Sequence, residues 1–309
     1  MKKKLRFNTK TIHGGQAPDP AYGAVMPPIY QTTTYAQTTP GGHKGFEYSR
    51  THNPTRQALE KALASIENGK HGLAFGSGLA AIDAILKLLK PGDEVISTNN
   101  LYGGSYRLFT KIFERFGIKF HFVGMDNVQA VEDTINTNTR LIWVETPTNP
   151  MMNVIDIKVV AQITQKHKII LAVDNTFASP INQTPSNFGI DVVIHSATKY
   201  LGGHSDICAG AVAASNEHIG KIWNVAKNLG GSLSEYTVWL LERSMKTLAI
   251  RVKAHNKNAK KIAKWLQKHP LVNQVYYPGL KTHSHYKLAK KQMNGYTGML
   301  SFELNESVN

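Results

Sequence analysis

The feature that most limits what this chain can fold into is a rhythm of short apolar runs. GLAF (72–75), EVIST (94–98), IKFHFVG (118–124), RLIWVET (140–146), IILAVD (169–174) and DVVIHSA (191–197) are each bounded by turn residues, and helix-length segments separate most of them. The runs are apolar almost throughout, with little polar–apolar alternation, which is the pattern of parallel strands buried on both faces. The intervening segments carry a helical period. In NPTRQALEKALASIENGK (53–70), Asn53 can cap a helix that opens on Pro54; Leu59, Ala62, Leu63 and Ile66 form one stripe, and Gly69 is placed to end it. Further helices are expected in AAIDAILKLLK, stopping at Pro91-Gly92, in SYRLFTKIFERFG, near 127–136 and in VVAQITQKHK (159–168). The expected class is α/β, a mostly parallel sheet flanked by helices.

Two stretches depart from the rhythm. Residues 1–52 are rich in Gly, Pro, Thr, Gln and Tyr, with no sustained period, and are expected to lie as an arm on another surface, of this subunit or a neighbour. From about 217 the pattern becomes helical, and two strand candidates, VNQVYYPG and TGMLSFEL, follow. The expected division is therefore an arm (1–52), a large domain (53–233) and the start of a smaller C-terminal α/β domain (234–309), which the chain leaves unfinished at Asn309. Apolar surface around GMLSFEL is expected to lack a partner. A chain of 309 residues, 41% hydrophobic, is long enough for a sizeable core.

Composition excludes several functions. A lone cysteine, Cys208, rules out an internal disulfide framework and points to a reducing, cytoplasmic setting; beside Ala and Gly it reads as a small packed residue. Cys/His spacing gives no metal site. The basic start MKKKLRF lacks the apolar segment of an export signal, and no apolar run reaches the roughly 20 residues of a membrane helix, so neither export nor a membrane span is expected. A net charge of +15 raises nucleic-acid binding as a remote alternative, a non-catalytic basic protein. The lysines of KNAKKIAKWLQKHP and HYKLAKKQ, however, recur among apolar residues at helical spacing, as solvated helix faces do, and no nucleic-acid motif accompanies them.

Ligands of open parallel sheets bind beyond the carboxyl ends of the strands. Those ends carry Gly76-Ser77-Gly78-Leu79 opening a helix, Asn100-Leu101-Tyr102-Gly103-Gly104, Thr148-Asn149-Pro150, Asp174-Asn175, and Ser196, Thr198 and Lys199. Pyridoxal phosphate would use all the chemistry in that set. Backbone N–H groups at Gly78-Leu79 and the hydroxyls of Ser196 and Thr198 suit a phosphate. A carboxylate, Asp174, would keep the pyridine nitrogen protonated, and Tyr102 would stack on the ring. Lys199 supplies the primary amine that bonds reversibly to an aldehyde, and Gly202-Gly203 leaves room beside it. His204 is expected to order this loop by a hydrogen bond.

Nine motifs together resemble the Cys/Met-metabolism family of pyridoxal-phosphate enzymes, its cystathionine γ-lyase and γ-synthase branches above all. They are IHGG (12–15), GAVMPPIYQTTTYAQ (23–37), YSRTHNPTR (48–56), LYGG (101–104), ETPTNP (145–150), VDNTFASP (173–180), HSATKYLGGHSD (195–206), YYPGL (276–280) and GMLSFEL (298–304). The resemblance implies the aspartate-aminotransferase-like, fold type I architecture, and γ-elimination or γ-replacement on cystathionine or O-acylhomoserine-type substrates. β-Elimination, as in cystathionine β-lyase, and O-acetylhomoserine sulfhydrylation are the alternatives. It implies Lys199, Asp174 and Tyr102 as catalytic residues, Tyr102 also helping to deprotonate the incoming amine. Gly78, Leu79, Ser196 and Thr198 match the phosphate contacts, and Asn149 the contact to the ring hydroxyl. Tyr48 and Arg50 match a pair that reaches the neighbouring subunit's phosphate in a homotetramer built as a dimer of dimers. Gly104 stands where the methionine γ-lyase branch has cysteine, which argues against that branch. The family pattern continues past 309, through an arginine that clamps the substrate carboxylate and has no counterpart here.

Overall fold

The computed structural model describes residues 5–305; the three lysines at 2–4 and the last four residues lie outside them. Among the described residues the strands are β1 (His71–Phe75), β2 (Glu94–Thr98), β3 (Lys119–Val123), β4 (Thr139–Glu145), β5 (Ile170–Asp174), β6 (Val192–Ser196), β7 (Gly210–Ala214), β8 (Val272–Tyr276) and β9 (Ser301–Leu304). The helices are α1 (Phe7–His13), α2 (Pro54–Glu67), α3 (Gly78–Leu86), α4 (Gly103–Arg107), α5 (Val128–Thr134), α6 (Ile157–His167), α7 (Ser179–Asn182), α8 (Asn216–Leu229), α9 (Glu235–Met245), α10 (Leu248–Leu266) and α11 (Tyr286–Gln292). The first seven strands form a mostly parallel sheet in the order β1-β7-β6-β5-β4-β2-β3. None of the described helices is long and apolar enough to cross a membrane.

The chain divides into two compact units, one of residues 1–88 and 194–249, the other of 89–193 and 250–309. In the first, β1 pairs antiparallel with β7, from His71↔Ala214 to Phe75↔Gly210. The helix α2 starts as the sequence requires, the Asn53 side chain accepting from the amides of Thr55 (2.8 Å) and Arg56 (3.4 Å), with Pro54 at its first position. Leu59, Ala62, Leu63 and Ile66 are all buried. The helix ends one residue before Gly69, at Asn68, whose left-handed backbone (φ 54°) is one that asparagine tolerates by hydrogen bonding locally.

The arm lies on this unit's own helices over part of its length. Lys246 Nζ donates to Ile12 O (2.9 Å) and to Gln16 Oε1 (2.6 Å), and Tyr30 N donates to Thr55 Oγ1 (2.8 Å). A Cβ on Gly14 would stand 2.5 Å from Ser65 Oγ, and one on Gly15 would stand 2.4 Å from the Lys61 carbonyl carbon, so only glycine lets the chain approach α2 this closely. Beyond that anchor Tyr22 and Val25 are almost fully exposed.

In the second unit β2 pairs in parallel with β3 and β4, and β4 with β5. The absence of polar alternation has a direct structural meaning in β4. Ile142 and Val144 join a buried cluster with Val160, Ala161, Leu171 and Val173, while Trp143 turns the opposite way, edge-on to Phe109 at 5.7 Å. Burying each such side chain stabilises the fold by about 1.5–3 kcal/mol. The segment expected to be a single helix at 105–117 is α4 followed by a π turn (Leu108–Ile112) and a 3-10 turn (Phe113–Phe116), closed by Gly117 at φ 77°. At the far end of the chain β9 pairs antiparallel with β8, leaving Phe302 and Leu304 about half exposed.

Candidate active site

In the first unit, α3 begins directly after β1. Ser77 caps it by accepting from Ala80 N (3.1 Å), and the amides of Gly78 and Leu79, at its first two positions, have no acceptor within the helix. A Cβ on Gly78 would come within 3.0 Å of Ser196 Cβ, at the end of β6. Glycine at 78 therefore lets a helix N-terminus and a strand end close on one spot, where two backbone donors, the helix dipole and a hydroxyl suit an anion such as phosphate.

The chain leaves β6 in a tight turn, residues 197–200, that carries Lys199 into solvent. Lys199 N donates to Ser196 O (3.1 Å), Gly202 N to Ala197 O (2.8 Å) and Gly203 N to Lys199 O (2.7 Å). Both glycines are required by this path. A Cβ on Gly202 would press on Ile207 at 2.9 Å, and Gly203 has φ 72°. Thr198 Oγ1 donates to Ala209 O (3.2 Å) and accepts from Ala209 N (2.9 Å), which ties the turn to the chain entering β7. His204 Nδ1–H donates to Gly202 O (2.7 Å), the loop-ordering role expected of it. Cys208 departs from expectation: it is exposed, because the short loop leading into β7 buries its neighbours Ile207 and Ala209 instead.

Tyr48 and Arg50 also belong to this unit, with the Arg50 guanidinium 5.2 Å from the centre of the Tyr48 ring. Arg50 Nη1 donates to Lys227 O at the end of α8. The pair is held to α2 through Arg56, a buried side chain bonded to Ser49 O (2.5 Å) and paired with Glu235 (3.4 Å) and Glu60 (3.8 Å). Arg56 is thus the buried arginine of YSRTHNPTR and Arg50 the exposed one.

The second unit gathers Tyr102, Asn149 and Asp174 around a residue outside the strand-end set given above, Glu145. This is the last residue of β4, opposite Asp174 in the parallel register with β5, and it is buried. Glu145 Oε2 accepts from Tyr102 N (2.9 Å), and Glu145 also takes a backbone hydrogen bond from Asn149. Burial first, and then the charge of Asp174, pushes the Glu145 carboxyl well above the usual carboxylate range. A signal was present in the sequence, since Glu145 opens ETPTNP at a strand's carboxyl end. Asp174 Oδ1 accepts from Thr176 N (3.0 Å). The Tyr102 ring lies against the next turn, so that a Cβ on Gly104 would be 2.2 Å from its Cε1. Tyr102 as a residue is 46% exposed, which leaves surface for a flat partner.

Comparison with known proteins gives a consistent result. Residues 8–309 match the family described as Cys/Met metabolism PLP-dependent enzyme. A cystathionine beta-lyase of Coxiella burnetii is 47% identical over 99% of this chain and 80% of its own length. A probable cystathionine gamma-synthase of Herpetosiphon aurantiacus is 47% identical over 96% and 94%, respectively. The crystal structure of cystathionine gamma-lyase from Lactobacillus plantarum complexed with L-serine superimposes with a TM-score of 0.97 at 44% identity, covering 99% of this chain and 80% of that one.

Proposed function

We propose that this chain, which belongs to the Cys/Met metabolism family of pyridoxal-phosphate-dependent enzymes, performs γ-elimination or γ-replacement on a homoserine-type amino acid such as cystathionine. Bound pyridoxal phosphate supplies an electron sink for negative charge arising on the substrate carbon skeleton. The observation that carries the reading is the Lys199 turn beside the Gly78–Ser196 cradle: a primary amine stands three residues beyond a hydroxyl that borders a helix N-terminus.

The roles follow from the side chains. Lys199 would anchor the cofactor through its amine, and the same amine would carry protons at the substrate Cα and Cβ. Asp174 holds a proton at the pyridine nitrogen. Tyr102 stacks on the ring and takes a proton from the incoming amine. Gly78, Leu79, Ser196 and Thr198 hold the phosphate, and Asn149 the ring hydroxyl. Tyr48 and Arg50 complete the phosphate site of a neighbouring subunit, in a cytoplasmic homotetramer.

β-Elimination is the second reading, favoured by the Coxiella burnetii relative, which matches this chain as closely as the γ-synthase does. Product analysis on cystathionine separates the two. γ-Elimination releases cysteine and 2-oxobutanoate, whereas homocysteine and pyruvate would replace it with the β reaction. Incubation of O-acylhomoserine with cysteine tests γ-replacement, whose product is cystathionine.

A further inference from the structure

We propose that Glu145 is a positioning residue for Tyr102: its carboxyl group grips the backbone at the start of α4 and thereby sets where the Tyr102 ring stands over the cofactor. The proposal rests on the reading of Tyr102 as the stacking ring.

The side chain of Glu145 projects from the end of β4, between the loops that follow β2 and β4. It takes the amide of Tyr102 from one loop (2.9 Å) and that of Asn149 from the other. Paired strand positions in a parallel sheet place their side chains on the same face, so Glu145 and Asp174, aligned in the β4–β5 register, share one side of the sheet. One buried carboxyl group thus bonds to two of these loops and lies beside the third strand end, and each of the three carries an assigned site residue. The Tyr102 ring is fixed twice. Its backbone N–H is held by Glu145, and its edge rests on Gly104, where any Cβ would meet the ring at 2.2 Å.

The grip needs an acceptor and does not depend on its charge. Burial and the adjacent Asp174 favour the protonated form of Glu145, and a carboxylic acid still accepts an N–H bond through its carbonyl oxygen. In that form it orients Tyr102 without setting a second negative charge against Asp174. Nothing in this role requires Glu145 to touch substrate or cofactor.

The test compares wild-type holoenzyme with Glu145→Gln, Glu145→Asp and Glu145→Met. Readouts are the dissociation constant for pyridoxal phosphate, the visible circular dichroism of the bound cofactor, kcat and KM, and the melting temperature of the apoprotein. Glutamine keeps an uncharged acceptor and is expected to hold cofactor affinity and dichroism within about threefold of wild type. Methionine fills the volume with no acceptor and is expected to weaken the cofactor about tenfold or more, with lowered dichroism and kcat. Aspartate, one methylene shorter, is expected to fall between them in a folded protein, so the proposal stays testable if Glu145→Met does not fold. In a Tyr102→Ala background, Glu145→Met is expected to add less than about threefold, because the ring it positions is gone.

Equal losses from glutamine and methionine, wild-type dichroism in Glu145→Asp, or a methionine effect fully additive with Tyr102→Ala would each overturn the proposal while leaving the assigned function standing. Failure of the wild-type protein to take up pyridoxal phosphate would overturn both.

Discussion

Lys199 is exposed on a turn whose shape depends on two glycines, so its amine and its backbone are separable by mutation. Lys199→Ala is expected to abolish turnover and the visible band of the bound cofactor while leaving the apoprotein melting temperature within a few degrees of wild type, as surface substitutions usually do. Gly203→Ala retains the amine but forces a Cβ onto a backbone at φ 72°. It should cost about 1 kcal/mol in denaturant unfolding and lower kcat by moving the lysine. Asp174→Asn is expected to leave cofactor bound, because the ring and phosphate contacts remain. Turnover should fall by several orders of magnitude in steady-state assays, since a neutral amide does not hold the pyridinium proton. At this scale the sequence was readable where a residue type has few other reasons to be present, such as a lysine after a buried strand. It was less readable at Glu145, which looks like any polar strand terminus until its partners in other loops are known.

Secondary structure was legible where apolar runs are long and β-branched. The six runs quoted first correspond to β1–β6, with no end shifted by more than one residue. Strand β7, GAVAA, went unnoticed because glycine and alanine carry little strand preference, and its position comes from pairing with β1. The helix α1 was hidden in the same way: seven residues with a single buried side chain, Thr11, show no period. Helix caps give sharper tests. Asn53 caps α2 through its oxygen and donates Nδ2 to Tyr30 O (2.9 Å), Tyr35 Oη (3.1 Å) and Ser49 Oγ (3.1 Å). Asn53→Ala removes the cap and the three Nδ2 contacts, of which only the one to Ser49 is fully buried, so roughly 1–3 kcal/mol should be lost in urea unfolding. Asn53→Asp keeps the cap and should lose less. On α9, Glu242 is buried, neither oxygen has a hydrogen-bond partner among the described residues, and burial raises its pKa to about 7. The folded protein therefore holds this proton more tightly than the unfolded chain, and stability falls as pH rises from about 4.5 to about 7. Glu242→Gln removes that dependence. Its stability relative to wild type should climb by up to about 3 kcal/mol between pH 5 and pH 8, measured by denaturant titration at each pH.

For the whole molecule, the decisive prediction concerns sharing between subunits. If Arg50 serves a neighbour's cofactor, mixed oligomers of Arg50→Ala and Lys199→Ala chains contain some sites with neither defect, and activity should reappear on mixing. Recovery in assemblies shown to be mixed is the expected result; none at all would place Arg50 in its own subunit's site. The compact unit that holds Arg50 and Lys199 is assembled from the first 88 residues and from 194–249. Strand β1 is an edge strand, and its one neighbour in the sheet is β7, about 140 residues later. During synthesis at about 5–20 residues per second, Leu73, Ala74 and Phe75 therefore emerge and wait roughly 7–30 s before their pairing partner exists. The nascent chain carries an open, apolar strand edge through that whole interval, and its exposure to aggregation is expected to be greatest then.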